Sequence, residues 1–383
     1  MKKYIFSLLL AGCVPSIVVL AQTKEQAIEL LMKKKDVEAA KDAIDKVTAG
    51  GKSDAKAWFY KGMIYKAVYD DETLRLNNKD ADLDSYKAYK KSIEMGSKED
   101  DHITQSREDM FELAVIFAST AAAAYDDGMK GEQNALKRAI EYYDAFIDIY
   151  NTVQVEQANI DKTLKENDLD FLKVKYMAGT AKEKAGDRVG AEKYYQELVD
   201  AKFYEPLLYI SLKTLYVGDG QRDKATKVLI DGRNRLPESI EIALEYAKLI
   251  TEEKRYNEAL DIAEKAAKKD RNSALPHVTI GEIYEKMMNT AKAEEAYNHA
   301  IAMSPDDFEP AHHFGNYHYR RAEAIAKKDG AAIAKDAYLM AITYYESANR
   351  ADPKNQENLK KLYDCYIKVD NQRKADQIKS RIK

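Results

Sequence analysis

The chain has 383 residues, of which 61 are Lys or Arg and 65 are Asp or Glu, leaving a formal charge of −4. With no basic cluster among them, a nucleic-acid partner lacks the electrostatic footprint it requires. Two cysteines are too few for a disulfide framework, and the abundance of Ala, Lys, Glu and Leu favours helix throughout.

Residues 1–21 read as a secretory signal peptide. Lys2 and Lys3 precede an apolar stretch from Tyr4 to Leu20, broken at Pro15, and Val19-Leu20-Ala21 forms a small-residue cleavage site before Gln22. Leu10-Ala11-Gly12-Cys13 offers an alternative, lipidation at Cys13. It is disfavoured because Val14 to Leu20 is apolar, where a polar tether usually follows a lipidated cysteine. Cleavage after Ala21 is the preferred reading, and no transmembrane span is expected after processing. Cys365 is then a lone cysteine among Leu359, Leu362 and Tyr366 and reads as a buried, inert thiol.

Residues 22–150 carry irregular helical hairpins. Ala40, Ile44 and Val47 mark the second helix of the first hairpin, ended by Gly50-Gly51. Trp58, Gly62 and Tyr65 mark the first helix of the next hairpin. Its second helix, with Tyr86, Tyr89 and Ile93, is delayed by residues 70–84. A third hairpin runs from about 104 to 149, with Ala139, Tyr143 and Phe146 in its second helix. Residues 151–169 are an insertion holding a short helix from Glu156 to Lys165. From 170 to 383 the pattern is regular. Ala191, Ala225, Ala259 and Ala293 are spaced 34 residues apart, the signature of a helix–turn–helix array. Ala139-Ile-Glu-Tyr142-Tyr143 returns as Ala191-Glu-Lys-Tyr194-Tyr195 and as Ala341-Ile-Thr-Tyr344-Tyr345.

Around Ala293 the pattern is complete, with Gly281, Tyr284, Tyr297, Ala300 and Pro305; Gly315, Ala341, Tyr345, Ala348 and Pro353 repeat it. This resembles the tetratricopeptide repeat family, over most of residues 22–383. The resemblance implies an all-α fold, a right-handed superhelical solenoid of antiparallel helix hairpins. The Gly and Ala of each unit are expected to face each other where its two helices cross, and the aromatic to fill the seam with the next unit. Gly315 to Ala341 spans 26 residues where Gly281 to Ala293 spans 12. Two extra turns per helix predict a long hairpin over 307–349, turning near Asp329-Gly330 and protruding about 10 Å. Residues 355–383 close the array with a polar capping helix.

In this family the first helices line the inner surface. Matched to Gly281, the inward positions are Val278, Glu282 and Glu285, and in the following unit His312, Asn316 and Tyr319. In the preceding units they are Leu244, Lys248 and Thr251, then Ile210, Thr214 and Val217, then Tyr176, Thr180 and Glu183. Ile210, Val217 and Leu244 are expected to be exposed although apolar. The basic clamp of some relatives is absent, since Glu282, His313 and Glu357 stand where Lys, Arg or Asn would be needed.

Other motifs have blander readings. Gly50-Gly51-Lys52-Ser53 lacks the earlier Gly and the strand of a phosphate loop, so it reads as a helix C-terminal turn. Asp80, Asp82 and Asp84 alternate as in a calcium loop, but Ser85 and Lys91 replace the required Gly and Glu; a solvated, helix-capping loop is preferred. His312, His313 and His318 read as polar lining rather than metal ligands. No catalytic triad and no cofactor fingerprint is found, so neither a metal nor a cofactor is expected, nor an enzyme. The 27 tyrosines, against nine phenylalanines, read mostly as core and seam, the remainder as rings for binding. The leading expectation is a non-catalytic scaffold of the bacterial envelope, periplasmic or outer-membrane associated, holding a peptide or helix of an envelope protein. The alternative is a protein that captures a solute or glycan.

Overall fold

The computed structural model describes residues 23–382, apart from 51–52, 98, 133, 153–156 and 167–169. The expected leader, its two alternative processing sites and Gly51-Lys52 therefore lie outside the described residues. The regular elements among the described residues are helices. They are α1 (Lys24–Glu29), α2 (Val37–Ala49), α3 (Ala55–Asp70), α4 (Glu72–Asn77), α5 (Ala81–Met95), α6 (Asp101–Met129), α7 (Ala135–Thr152), α8 (Gln157–Glu166), α9 (Phe171–Lys184) and α10 (Arg188–Asp200). They continue as α11 (Pro206–Gly218), α12 (Arg222–Arg235), α13 (Ile240–Glu252), α14 (Tyr256–Lys269), α15 (Leu275–Lys286), α16 (Thr290–Met303), α17 (Phe308–Asp329), α18 (Ala331–Ala351), α19 (Gln356–Lys368) and α20 (Gln372–Lys379). A π-helical turn, Leu30–Lys34, follows α1. The chain forms two compact units that divide within α10, Met1–Tyr194 and Tyr195–Lys383.

In the first unit, side-chain oxygens start the helices. Thr23 and Gln26 form a capping box at α1, and Asp36 and Asp54 accept from backbone N–H groups at the starts of α2 and α3. α3 packs on α5, α6 on α7 and α7 on α9. The short α4 fills the expected delay between α3 and α5. The core here is aromatic, with Tyr89, Phe117, Tyr142, Tyr143 and Phe146 fully enclosed. The acidic run differs from expectation. Asp82 and Asp84 belong to the first turn of α5, and Asp82 is only 2% exposed because the Tyr142 hydroxyl, 3.0 Å from both its carboxylate oxygens, takes the place of water.

The second unit stacks five hairpins, α11/α12, α13/α14, α15/α16, α17/α18 and α19/α20. Its first helices also touch in sequence, α11 to α13 to α15 to α17, which makes them one layer and defines the inner face. α17 and α18 have 22 and 21 residues against 12 and 14 in α15 and α16, so the long hairpin forms and turns at Gly330 with φ 98°. The tight turns between the paired helices share one device. Gly220, Lys254 and Met288, at 34-residue intervals, all adopt positive φ, and Asp370 does so in the last hairpin. Only the first is a glycine, so the two-helix turn imposes this conformation at some cost on ordinary side chains.

The crossing of each hairpin also differs in detail. The group standing over Gly281 is the ring of Tyr297, not Ala293: a Cβ at Gly281 would lie 2.9 Å from that ring. Gly62 with Tyr89 and Gly315 with Tyr345 repeat the arrangement. Ala293 is fully buried, so its small size is still required. The same Tyr297 ring stacks on Phe314 of α17 at 5.1 Å, so one aromatic fills both the crossing and the seam.

Candidate functional site

The inner face of the second unit holds a cavity of about 370 Å³. Val217 on α11, Leu249 on α13 and Ile283 on α15 supply its apolar surface. Around them stand Lys213, Glu245, Lys248, Thr251, Glu252, Glu282, Glu285, Lys286 and Arg320, with Arg222 at the start of α12. Five of the sequence-predicted groove residues thus converge here: Val217, Lys248, Thr251, Glu282 and Glu285.

The charges are paired from helix to helix. Glu245 of α13 accepts from Lys213 of α11 at 2.5 Å and from Lys248 on its own helix at 3.1 Å. Lys286 of α15 reaches Glu252 of α13 at 2.8 Å. The Arg320 guanidinium of α17 grips Glu285 of α15 through two bonds of 2.6 Å, and Tyr297 donates to the same carboxylate. His313 of α17 lies 2.7 Å from Glu282 and 3.3 Å from Glu309. This ladder ties successive inner helices together and leaves the apolar patches between its rungs.

Burial and pairing oppose each other at these groups. Burial alone would lower the His313 pKa, but its hydrogen bonds to Glu282 and Glu309 win and lift it to about 9, so the ring is an imidazolium at neutral pH. Burial raises Glu282, and the bond to His313 with nearby Lys248 and Arg320 outweighs it, so the carboxylate lies below its usual range. Glu245 is lowered on the same balance, with Lys248 and Lys213 opposing burial. The site is therefore a prearranged set of fixed charges around an apolar floor.

Other predicted inner-face residues are placed differently. Leu244, expected to be exposed, is 4% exposed, and Val278 is 2% exposed; both point into the packing between helices. Ile210 is half-buried, whereas Val217 is exposed as expected. His312 is buried and bonded to Asn358 at 3.0 Å. Asn316 accepts from Tyr345, and Tyr319 donates to Asp364, so both serve the α17–α18–α19 packing. Thr214 is exposed on α11. In the first unit, Tyr176, Thr180 and Glu183 are half-buried on α9, where the Thr180 hydroxyl donates to the Tyr176 carbonyl. Of the three histidines in α17, His318 stacks on Tyr344 and burial depresses its pKa to about 4. Cys365 is fully buried, and burial pushes its thiol up to about 12.

The tyrosines follow a rule that sequence reading missed. Among the described residues, at least ten of their hydroxyls donate to carboxylates, including Tyr65 to Asp45, Tyr86 to Asp148, Tyr194 to Asp144 and Tyr317 to Glu294. Among the same residues only Tyr204 is exposed. Most of the rings are buried or half-buried, many with a polar tip that finds an acid at the helix edge, while those of Tyr89, Tyr143 and Tyr209 are enclosed without a partner among the described residues, which leaves few for binding. No helix of the described residues is long and apolar enough to cross a membrane.

No family model matches this sequence, nor does any curated protein. Similar solved structures include a tetratricopeptide repeat protein from Parabacteroides merdae ATCC 43184, 16% identical, covering 68% of this chain and 96% of that one with a TM-score of 0.44. YrrB, described as a TPR protein with an unusual peptide-binding site, is 20% identical, covers 58% and 94%, and has a TM-score of 0.36. A thermophilic TPR protein from Thermus thermophilus is 14% identical, covers 51% and 99%, and has a TM-score of 0.39. The second unit's own geometry, hairpins stacked in chain order, at a 34-residue period up to α16 and with Gly under Tyr at Gly281 and Gly315, is that of an all-α, tetratricopeptide-like solenoid.

Proposed function

We propose that this chain is a non-catalytic protein-interaction scaffold of the bacterial cell envelope, holding an extended peptide or a helix of an envelope protein against the inner face of its second unit. The observation that carries the reading is the cavity of about 370 Å³, where the exposed Val217 stands over the nearly buried Leu249 and Ile283, between charges already held in pairs. An apolar side chain of a ligand can settle there without breaking any pair, and polar flanks can exchange with the exposed edges of the ladder. Acids and bases that neutralise one another suit recognition better than proton transfer, which supports a non-catalytic role. The envelope assignment rests on Lys2, Lys3, the apolar stretch to Leu20 and the site at Ala21.

The test is affinity capture from envelope fractions with the mature chain and with Val217→Asp. A partner that reproducibly binds the first and not the second supports the reading. Capture that is identical for both, or a bound small molecule with no protein partner, overturns it. Mass spectrometry of the mature N-terminus tests the leader: a first residue at Gln22 is expected, and a diacylglyceryl cysteine at Cys13 would replace cleavage by lipidation.

A further inference from the structure

A second cleft lies away from the inner face, between α12 and α14 above the first turns of α13, with a volume of about 380 Å³. Its floor is aliphatic, formed by Ile230, Leu236, Ile240 and Ile262. Ile230 is 41% exposed on a helix that is otherwise strongly polar, and it joins three further aliphatic side chains in one trough.

The rim is cationic. Arg233, Lys265 and Lys269 line it, against one acid, Asp261. The Arg233 guanidinium lies 4.6 Å over the Tyr246 ring and has no carboxylate partner among the described residues. Lys265 pairs with Asp261 on its own helix, and Lys269 with the exposed Glu238. Such exposed pairs hold their partners weakly, so an incoming carboxylate can take their place. Arg233 is therefore left without an acid beside an apolar trough, and Lys265 and Lys269 carry only weakly held, exposed partners.

We propose that this cleft docks an acidic, leucine-rich segment of a partner protein, its aliphatic side chains on the Ile230–Ile262 floor and its carboxylates on Arg233, Lys265 and Lys269. Charge complementarity selects this occupant. A basic segment meets three like charges, and a neutral one leaves Arg233 unanswered. A nucleic acid would use the cations but leave the aliphatic floor uncovered.

Fluorescence anisotropy on the whole chain tests the proposal. The probe is a labelled twelve-residue peptide that alternates leucine pairs with glutamate pairs, compared with its glutamine and lysine counterparts. The acidic peptide should bind saturably, with affinity falling as salt rises. The glutamine and lysine peptides should bind at least about tenfold more weakly, a difference of about 1.4 kcal/mol. Ile230→Glu and Arg233→Glu should each weaken the acidic peptide by a similar factor with unchanged melting temperature, whereas Met288→Glu, at a 90% exposed turn, should not. Absence of saturable binding, equal binding of the three peptides, or indifference to Ile230→Glu overturns the proposal. So does binding to phosphatidylglycerol vesicles in place of the peptide, which would make the cleft a membrane contact.

Discussion

Gly281 lies under the ring of Tyr297, so close that a single added carbon would stand 2.9 Å from the aromatic edge. The tyrosine cannot swing away, because it is fully buried and stacked on Phe314. Small residue and large ring thus form one joint within the hairpin, and its outer side is the joint to the next hairpin.

Gly281→Ala sets two effects against each other. Alanine is favoured over glycine inside a helix by about 1 kcal/mol. Overpacking a rigid core costs about 1–3 kcal/mol. The second wins where the neighbour is a packed ring, so a net loss of about 1 kcal/mol is expected, read as a lower denaturation midpoint. Tyr297→Leu in the same chain should convert part of that loss into a gain, since the obstructing ring is gone. An additive double mutant would show that the two residues do not touch.

Tyr142→Phe is expected to cost about 1–3 kcal/mol at pH 7 by leaving Asp82 short of a donor. Burial raises the Asp82 pKa, with the Leu83 amide and the Tyr142 hydroxyl working against that rise. The folded carboxyl therefore takes up a proton more readily than the unfolded one. The penalty of the substitution should shrink as pH falls and the acid becomes neutral. Urea titrations at pH 7 and pH 5 measure it; equal losses at both would detach the effect from Asp82.

The hairpins are legible in the sequence because their signals are local. Ala at 34-residue spacing, Gly one helix earlier and Gly330 at the long turn each act within a few residues of where they stand in the chain. The short helix expected over residues 156–165 is α8, and the long hairpin needs only a count of residues. What escapes is set between helices. Tyr142 and Asp82 are 60 residues apart, and Glu282 and His313 are 31 apart, so no spacing rule joins them. The left-handed Lys254 and Met288 carry no glycine to announce them. Leu244 departs from its expected place because its side depends on how α13 crosses its neighbours, and family register gives only which face is near the groove.

That departure sharpens a stability comparison. Val217 is 37% exposed and Leu244 is 4% exposed, although the repeat register puts both on the same surface. Val217→Ser should change stability by no more than about 0.5 kcal/mol. Leu244→Ala should cost about 2–5 kcal/mol through lost burial and the cavity left behind. If Leu244→Ala melts like the parent chain, Leu244 is not packed between α13 and its neighbours.

His313 gives the second unit a pH dependence with a definite sign. Glu282 of α15 and Glu309 of α17 face its two nitrogens, and Lys248 of α13 opposes them from nearby. The net result is a pKa of about 9 in the folded chain against 6.5 for a free histidine. A group raised in this way contributes stability in full below about pH 6.5, because both states are then protonated and only the folded one gains the pairing. Between 6.5 and about 9 the unfolded ring has lost its proton while the folded ring keeps it, so stability falls as pH rises. Above about 9 the contribution is gone. His313→Gln removes the titration and leaves Glu282 with only the more distant Lys248 and Arg320. The melting temperature of the parent chain should exceed that of the variant most at pH 6, and the gap should close steadily towards pH 10. Taking the difference cancels the tyrosines and lysines that also titrate at the alkaline end. A gap that is constant from pH 6 to pH 10 would mean that the imidazolium between Glu282 and Glu309 is not what holds α15 to α17.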